Sequence, residues 1–145
     1  MSPSLTITKI WEDDDMIEVT LSVCDGKSTF SAEIYVGFGD LKETVASMEH
    51  FKSHVHGGIY DLSWGAFGPE FASGAARIRF HFHHQARLCI SSSMESGYFE
   101  FGLKKVAHSA EQFFYSEPAL LDNFVTELLS LAEGNLDTAM LIGKN

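Results

Sequence analysis

The chain is short of basic residues, of cysteine and of long apolar runs, and each shortage closes off a class of protein. Ten Lys and Arg stand against twenty Asp and Glu, a formal charge of −10. A field of that sign repels nucleic acid and anionic membrane, leaving a basic protein as the natural charged partner. No stretch approaches the roughly eighteen apolar residues of a membrane span. The N-terminus has no positive region followed by an apolar run, so no signal peptide is expected and the cytoplasm is the default compartment. Cys24 and Cys89 each fall inside a predicted strand, with no partner at metal-binding or redox spacing. They read as buried thiols of a reducing compartment.

The familiar motifs of catalysis are missing as well. There is no GxSxG, and nothing in the sequence pairs Cys24 with a histidine. Gly37-Phe38-Gly39 precedes a predicted helix but lacks the third glycine and the lysine of a phosphate-binding loop, so it reads as a strand-to-helix turn. Seven histidines raise the question of a metal. His50 and His54 are four apart on a predicted helix, and His81 and His83 share one face of a predicted strand; either spacing lets two imidazoles reach one ion. Neither pair has a visible third ligand, and Phe51-Lys52-Ser53 after His50 is not the HExxH arrangement. Arg77 and Arg79, on the face of His81 and His83, disfavour a dication. No catalytic residue, metal ligand or cofactor is assigned. With Arg87 on the next strand, the two arginines form a basic cluster that suits cross-strand pairing with Asp or Glu. Trp64, Phe67 and Phe71 around a glycine-rich loop either edge a ligand pocket or anchor the loop in the core.

What is present is one domain's worth of amphipathic pattern. With 145 residues, 45% of them apolar, residues 1–145 fit a single globular domain burying about two-thirds of its unfolded surface. The chain is organised around Ser116 to Gly134, where Leu120, Leu121, Phe124, Val125, Leu128, Leu129 and Leu131 recur at helical spacing. Ser116, Glu117 and Pro118 start this helix and Gly134 stops it. A second, narrower stripe runs from Asp40 to Val55, with Asp40 and Glu43 as a capping-box-like start and Gly57-Gly58 as the end.

Between the helices the period is two. Met16 to Cys24 and Phe30 to Val36 alternate cleanly around Asp25-Gly26, a hairpin signal. Leu5 to Trp11 reads as a short outer strand with Leu5, Ile7 and Lys9 on one side. Ile59 to Trp64, Ala76 to Phe82, Leu88 to Ser92, Tyr98 to Leu103 and Glu111 to Tyr115 follow, with Gly65 to Gly74 a loop and His84-Gln85 a turn. Tyr98 or Phe99, together with Phe101, is expected inward, and the chain after Asn135 is a tail that adds a turn or docks on the sheet. The expectation is α+β: a single antiparallel sheet of about six or seven strands, with two amphipathic helices packed on one face.

The acid sits at the two ends. Residues 1–56 carry four Lys against ten carboxylates, residues 57–105 five cations against four, and residues 106–145 one against six. Glu12, Asp13, Asp14 and Asp15 are the densest run, an exposed turn and the candidate partner-binding residues. They lack the spaced ligands and glycine of a calcium loop. An acidic surface also serves simple solubility.

The order of elements is similar to that of the WapI-type immunity proteins and related domains, small bacterial proteins. Phe30 to Tyr35, Gly39-Asp40-Leu41 opening a helix, the Arg77 to Phe82 and Arg87 to Ser92 hairpin, and a last strand into Leu120, Leu121, Phe124, Leu128 and Leu131 carry the likeness. It implies a cytoplasmic antidote that binds and blocks a toxin domain, often a basic nuclease. Two classes of function follow. One is a non-enzymatic binding protein meeting a basic protein; the other is a small-ligand- or metal-binding protein using the His-rich faces or the Trp64 loop. The oligomeric state is open, and a homodimer is compatible with the residues.

Overall fold

A computed structural model describes residues 2–71 and 73–144. Ala72, in the expected Gly65 to Gly74 loop, and Asn145, at the end of the expected tail, lie outside the described residues. The chain runs β1 (Ser4–Glu12), β2 (Met16–Cys24), β3 (Thr29–Gly37), α1 (Phe38–Phe51), β4 (Ile59–Trp64), β5 (Ala75–Phe82), β6 (Leu88–Glu95), β7 (Phe99–Phe101), β8 (Lys104–Val106), β9 (Ser109–Ser116), α2 (Pro118–Ala132) and β10 (Thr138–Ile142). A short 3-10 turn, His84–Ala86, joins β5 to β6 where the sequence places a turn.

The α+β class with two helices and antiparallel pairing stands, but the single sheet does not. Among the described residues the strands form two four-stranded sheets, ordered β10-β1-β2-β3 and β4-β5-β6-β9, and a separate β7-β8 hairpin. The alternation explains how both sheets fit: each buries one face only, and Leu5, Ile7, Val19, Leu21 and Ile34 of the first join Leu62, Ile78, Phe80, Phe82 and Ile90 of the second in one core cluster. A pattern of one-faced strands is the same for one sheet or two, so the split is invisible until the seams are seen.

There are two seams. Gly74 N–H donates to the Glu33 carbonyl at 2.9 Å, and a Cβ at Gly74 would lie 2.7 Å from the Glu95 carbonyl and 3.0 Å from that of Glu33. At the other, Lys144 N–H donates to the Tyr115 carbonyl at 2.6 Å and Gly143 N–H to that of Pro3 at 2.8 Å. A Cβ at Gly143 would meet the Phe114 ring at 2.8 Å. Backbone passes this closely only where no side chain stands between. The buried Gln112 of β9 also reaches the Ser28 carbonyl in the β2–β3 turn at 3.0 Å, so β9 lies across the end of the first sheet.

The helices close the core that the sheets leave open. Phe51 of α1 stacks on Phe82 at 5.0 Å and meets Phe80 at 6.4 Å. In α2, Leu121, Phe124, Val125, Leu128 and Leu131 are buried as the stripe requires, while Leu129 is exposed. The expected capping box is absent: α1 starts two residues early, Gly37 is its N-cap with no side-chain hydrogen bond, and Asp40 lies in its first turn. The tail becomes β10, pairing with β1 from Ser4↔Ile142 to Thr8↔Thr138, so β1 is an inner strand and β10 the edge. Glu127 of α2 accepts the Met140 N–H at 2.8 Å and so occupies a donor on that edge. Phe99 and Phe101 point outward, contrary to expectation, because the chain turns back at Gly102-Leu103 and β7 pairs with β8 alone. This hairpin grows from the β6–β9 connection, held at its base by Ser96 N–H to the His108 carbonyl, 2.8 Å.

Candidate functional site

Glu12 ends β1 and Asp13, Asp14 and Asp15 form the turn to β2; all four are exposed, but their carboxylates are not equivalent. Asp13 Oδ1 accepts the Asp15 N–H at 2.8 Å and the Met16 N–H at 2.9 Å. These donors hold its carboxyl below the ordinary aspartate value. Glu12 accepts from Lys9 Nζ at 3.0 Å. Lys9 does lie on the core side of β1, its side chain only 12% exposed, and also stands 3.6 Å from Asp137. The Glu12 hydrogen bond raises its pKa. Asp14 and Asp15 are left without a side-chain partner among the described residues. The Asp15 carbonyl accepts the Phe38 N–H at 3.0 Å, tying the turn to the start of α1.

An irregularity next to this turn brings in residues that the sequence reading missed. The β1–β2 register shifts between Lys9 and Trp11, so Ile10 is an extra residue and Trp11 lands opposite Glu18. Glu18 in turn lies opposite Tyr35. Ile17, Val19, Ile34 and Val36 are buried, so Trp11, Glu18 and Tyr35 share the outer face as one row across three strands. The outer two strands of such a row are roughly 10 Å apart. The Trp11 and Tyr35 ring centroids are 6.2 Å apart at 89°, edge to face, so the rings lean together across the strand that carries Glu18. Trp11 is 46% and Tyr35 41% exposed. Glu18 is half-buried and has no ion pair or hydrogen bond among the described residues. A groove of about 360 Å³ runs from Glu18 and Tyr35 past Ser31 and Glu33 to Ser73 and Ser96, and no cation lines it.

The alternation of β3 already put Tyr35 outside; the bulge that turns Trp11 outward leaves no mark in the sequence. Chemically the face offers carboxylates, hydroxyls and two rings.

The other candidates are spread out. The rings of His50 and His54 are 4.5 Å apart, as are those of His81 and His83. His54 Nδ1 is engaged by the His50 carbonyl at 2.9 Å. Among the described residues no group of three His, Cys, Asp or Glu could hold a metal ion. Trp64 is buried and its indole N–H donates to Thr44, so it is a core residue and not a pocket edge. Arg79 pairs with Asp61 through Nε at 2.8 Å and Nη2 at 3.0 Å, which lowers the Asp61 pKa. Arg77 lies 4.8 Å over the Phe67 ring and Arg87 4.8 Å over that of Tyr115. Cys24 and Cys89 are free thiols, Cys24 buried and Cys89 partly so.

The residues therefore describe an α+β fold with an acidic, aromatic outer face on its first sheet. No family model, curated protein or solved structure matches this chain. No helix among the described residues is long and apolar enough to cross a membrane.

Proposed function

We propose that this chain is a non-enzymatic binding protein that meets a basic protein through the outer face of β1, β2 and β3, as an immunity protein meets a toxin domain. The observation that carries the reading is the conjunction, on one face, of the Glu18 carboxylate with the exposed rings of Trp11 and Tyr35, next to the turn that holds the exposed Asp14 and Asp15. Exposed Trp and Tyr are the side chains that concentrate binding energy at interfaces, and surrounding charge selects the sign of the partner and speeds encounter. Residues 1–56, which include this face, carry −6 in all. The role belongs to the cytoplasm, where free thiols such as Cys24 and Cys89 persist.

The test is capture of the partner on full-length protein, followed by purified binding and by co-expression of the partner with and without this chain. The reading expects a partner of basic isoelectric point, saturable one-to-one binding weakened by Trp11→Ala, and relief of the partner's toxicity. A partner of acidic or neutral charge, or binding untouched by Trp11→Ala, overturns it.

A further inference from the structure

We infer that Trp11, Glu18 and Tyr35 form a receptor for one arginine side chain presented by the basic partner. The inference rests on the binding reading above and names the group that the face recognises.

The first support is an unmet charge. Glu18 lies in the middle of a three-strand row with a ring on each side, half-buried, with no cation paired to it among the described residues. A carboxylate partly removed from water gains most from a partner that brings charge and hydrogen-bond donors together. Lys9, in the adjacent strand, is turned to the core side and taken by Glu12 and Asp137. Lys27 sits at the opposite end of the sheet, in the β2–β3 turn.

The second support is the pair of rings. A guanidinium binds a carboxylate through two parallel N–H donors and stacks its flat face on an aromatic within about 6 Å of the centroid. The Trp11–Glu18–Tyr35 row offers both contacts side by side. Ammonium, a compact and strongly hydrated charge, uses the fork and the flat ring less well. The groove of about 360 Å³ leading on to Glu33 gives the chain that carries the arginine a polar bed without a competing cation.

The third support is how the second sheet treats the same groups. There Asp61 holds Arg79 bidentately, and Phe67 and Tyr115 each lie under a guanidinium at 4.8 Å. The first sheet has the carboxylate and the rings but no arginine, so the missing member comes from outside.

The experiment titrates the full chain with a blocked Gly-Arg-Gly peptide, following the Trp11 indole N–H and the backbone amides by NMR; the buried Trp64 serves as internal reference. The expected result is a saturable shift of Trp11, Glu18 and Tyr35 signals. The citrulline peptide, equal in shape but neutral, gives none, and the lysine peptide binds at least threefold more weakly. Glu18→Gln abolishes the shift while leaving the melting temperature unchanged. Equal shifts with citrulline or lysine, shifts scattered over the surface, or an unaltered titration in Glu18→Gln overturn the arginine receptor. If a captured basic partner binds with a salt-dependent rate but dissociates no faster from Glu18→Gln, the receptor falls and the binding reading stands. A peptide that seats at Glu18 while every captured partner is acidic does the reverse.

Discussion

The Trp64 indole of β4 donates its N–H to the Thr44 hydroxyl of α1 at 3.1 Å, with both residues buried. This bond joins a sheet to its covering helix from inside the core. Thr44→Val keeps the shape but strands the donor, and a buried donor without a partner costs about 1–3 kcal/mol. Urea denaturation should show that loss, and Thr44→Ser should recover most of it. A Thr44→Val protein as stable as the parent would mean that the bond contributes nothing.

Phe124 is fully buried at the centre of the α2 stripe. Phe124→Ala should destabilise the fold by about 3–5 kcal/mol, the usual range for an aromatic lost from a close-packed core. Leu129→Ala, on the same helix but exposed, should change stability by less than about 0.5 kcal/mol. Equal losses would contradict the placement of the stripe.

Acid should loosen two turns before it unfolds the whole. Asp13 Oδ1 accepts from Asp15 and Met16 N–H, and Asp25 Oδ1 from Lys27 and Ser28 N–H. These donors hold both carboxyls below the ordinary value. A folded pKa below the unfolded one gives stability that is fully present above the unfolded value, about pH 4, and lost as pH falls through the lower folded value. Relative to the intrinsic exchange rate at each pH, the protection of the amides of Asp15, Met16, Lys27 and Ser28 should therefore fall as pH drops below about 4, ahead of the core. Melting curves of an Asp13→Ala, Asp25→Ala double variant should depend less on pH there than those of the parent. Identical slopes would count against the turn bonds.

Removing metal should leave the protein as it is. Two imidazoles per pair, one of them already engaged at His54 Nδ1, do not make a tight site. Elemental analysis of untagged protein should find less than one equivalent of zinc, nickel or copper, and chelator should not move the melting temperature. Stoichiometric metal with a large drop on chelation would revive the His-rich reading.

Most secondary elements were legible because the two periods are clean. Ile59 to Trp64 matches β4 in full, and the α2 stripe identifies the buried residues apart from the half-buried Leu120 and the exposed Leu129. The sheet count was not legible, since Leu62 and Leu21 follow the same one-faced pattern whichever sheet holds them. What separates the sheets are the crossings at Gly74 and Gly143, contacts between residues far apart in sequence. The alternation around Phe99 and Phe101 misled for a related reason: period two states that one side differs from the other, and a hairpin of two three-residue strands pointing into solvent has no buried side to offer. Half of the candidate face was legible. The acidic run is conspicuous, but the Asx-type bonds that occupy Asp13 and the Lys9 contact that occupies Glu12 arise only once the turn closes. Trp11 reaches Tyr35 through a one-residue bulge at Ile10 that no propensity marks.

The association rate of the captured basic partner, measured by stopped flow against ionic strength for the parent and for Asp14→Lys with Asp15→Lys, decides whether the acidic turn steers binding. These two side chains are free, so their reversal leaves the Asp13 bonds and the fold in place. The account predicts an association rate that falls steeply with salt as the Debye length shrinks from roughly 10 Å at 0.1 M toward 3 Å at 1 M. It also predicts that the reversal slows association about tenfold at low salt while dissociation changes little. A rate indifferent to both salt and the reversal would contradict it and reduce the acidic turn to a solubility feature.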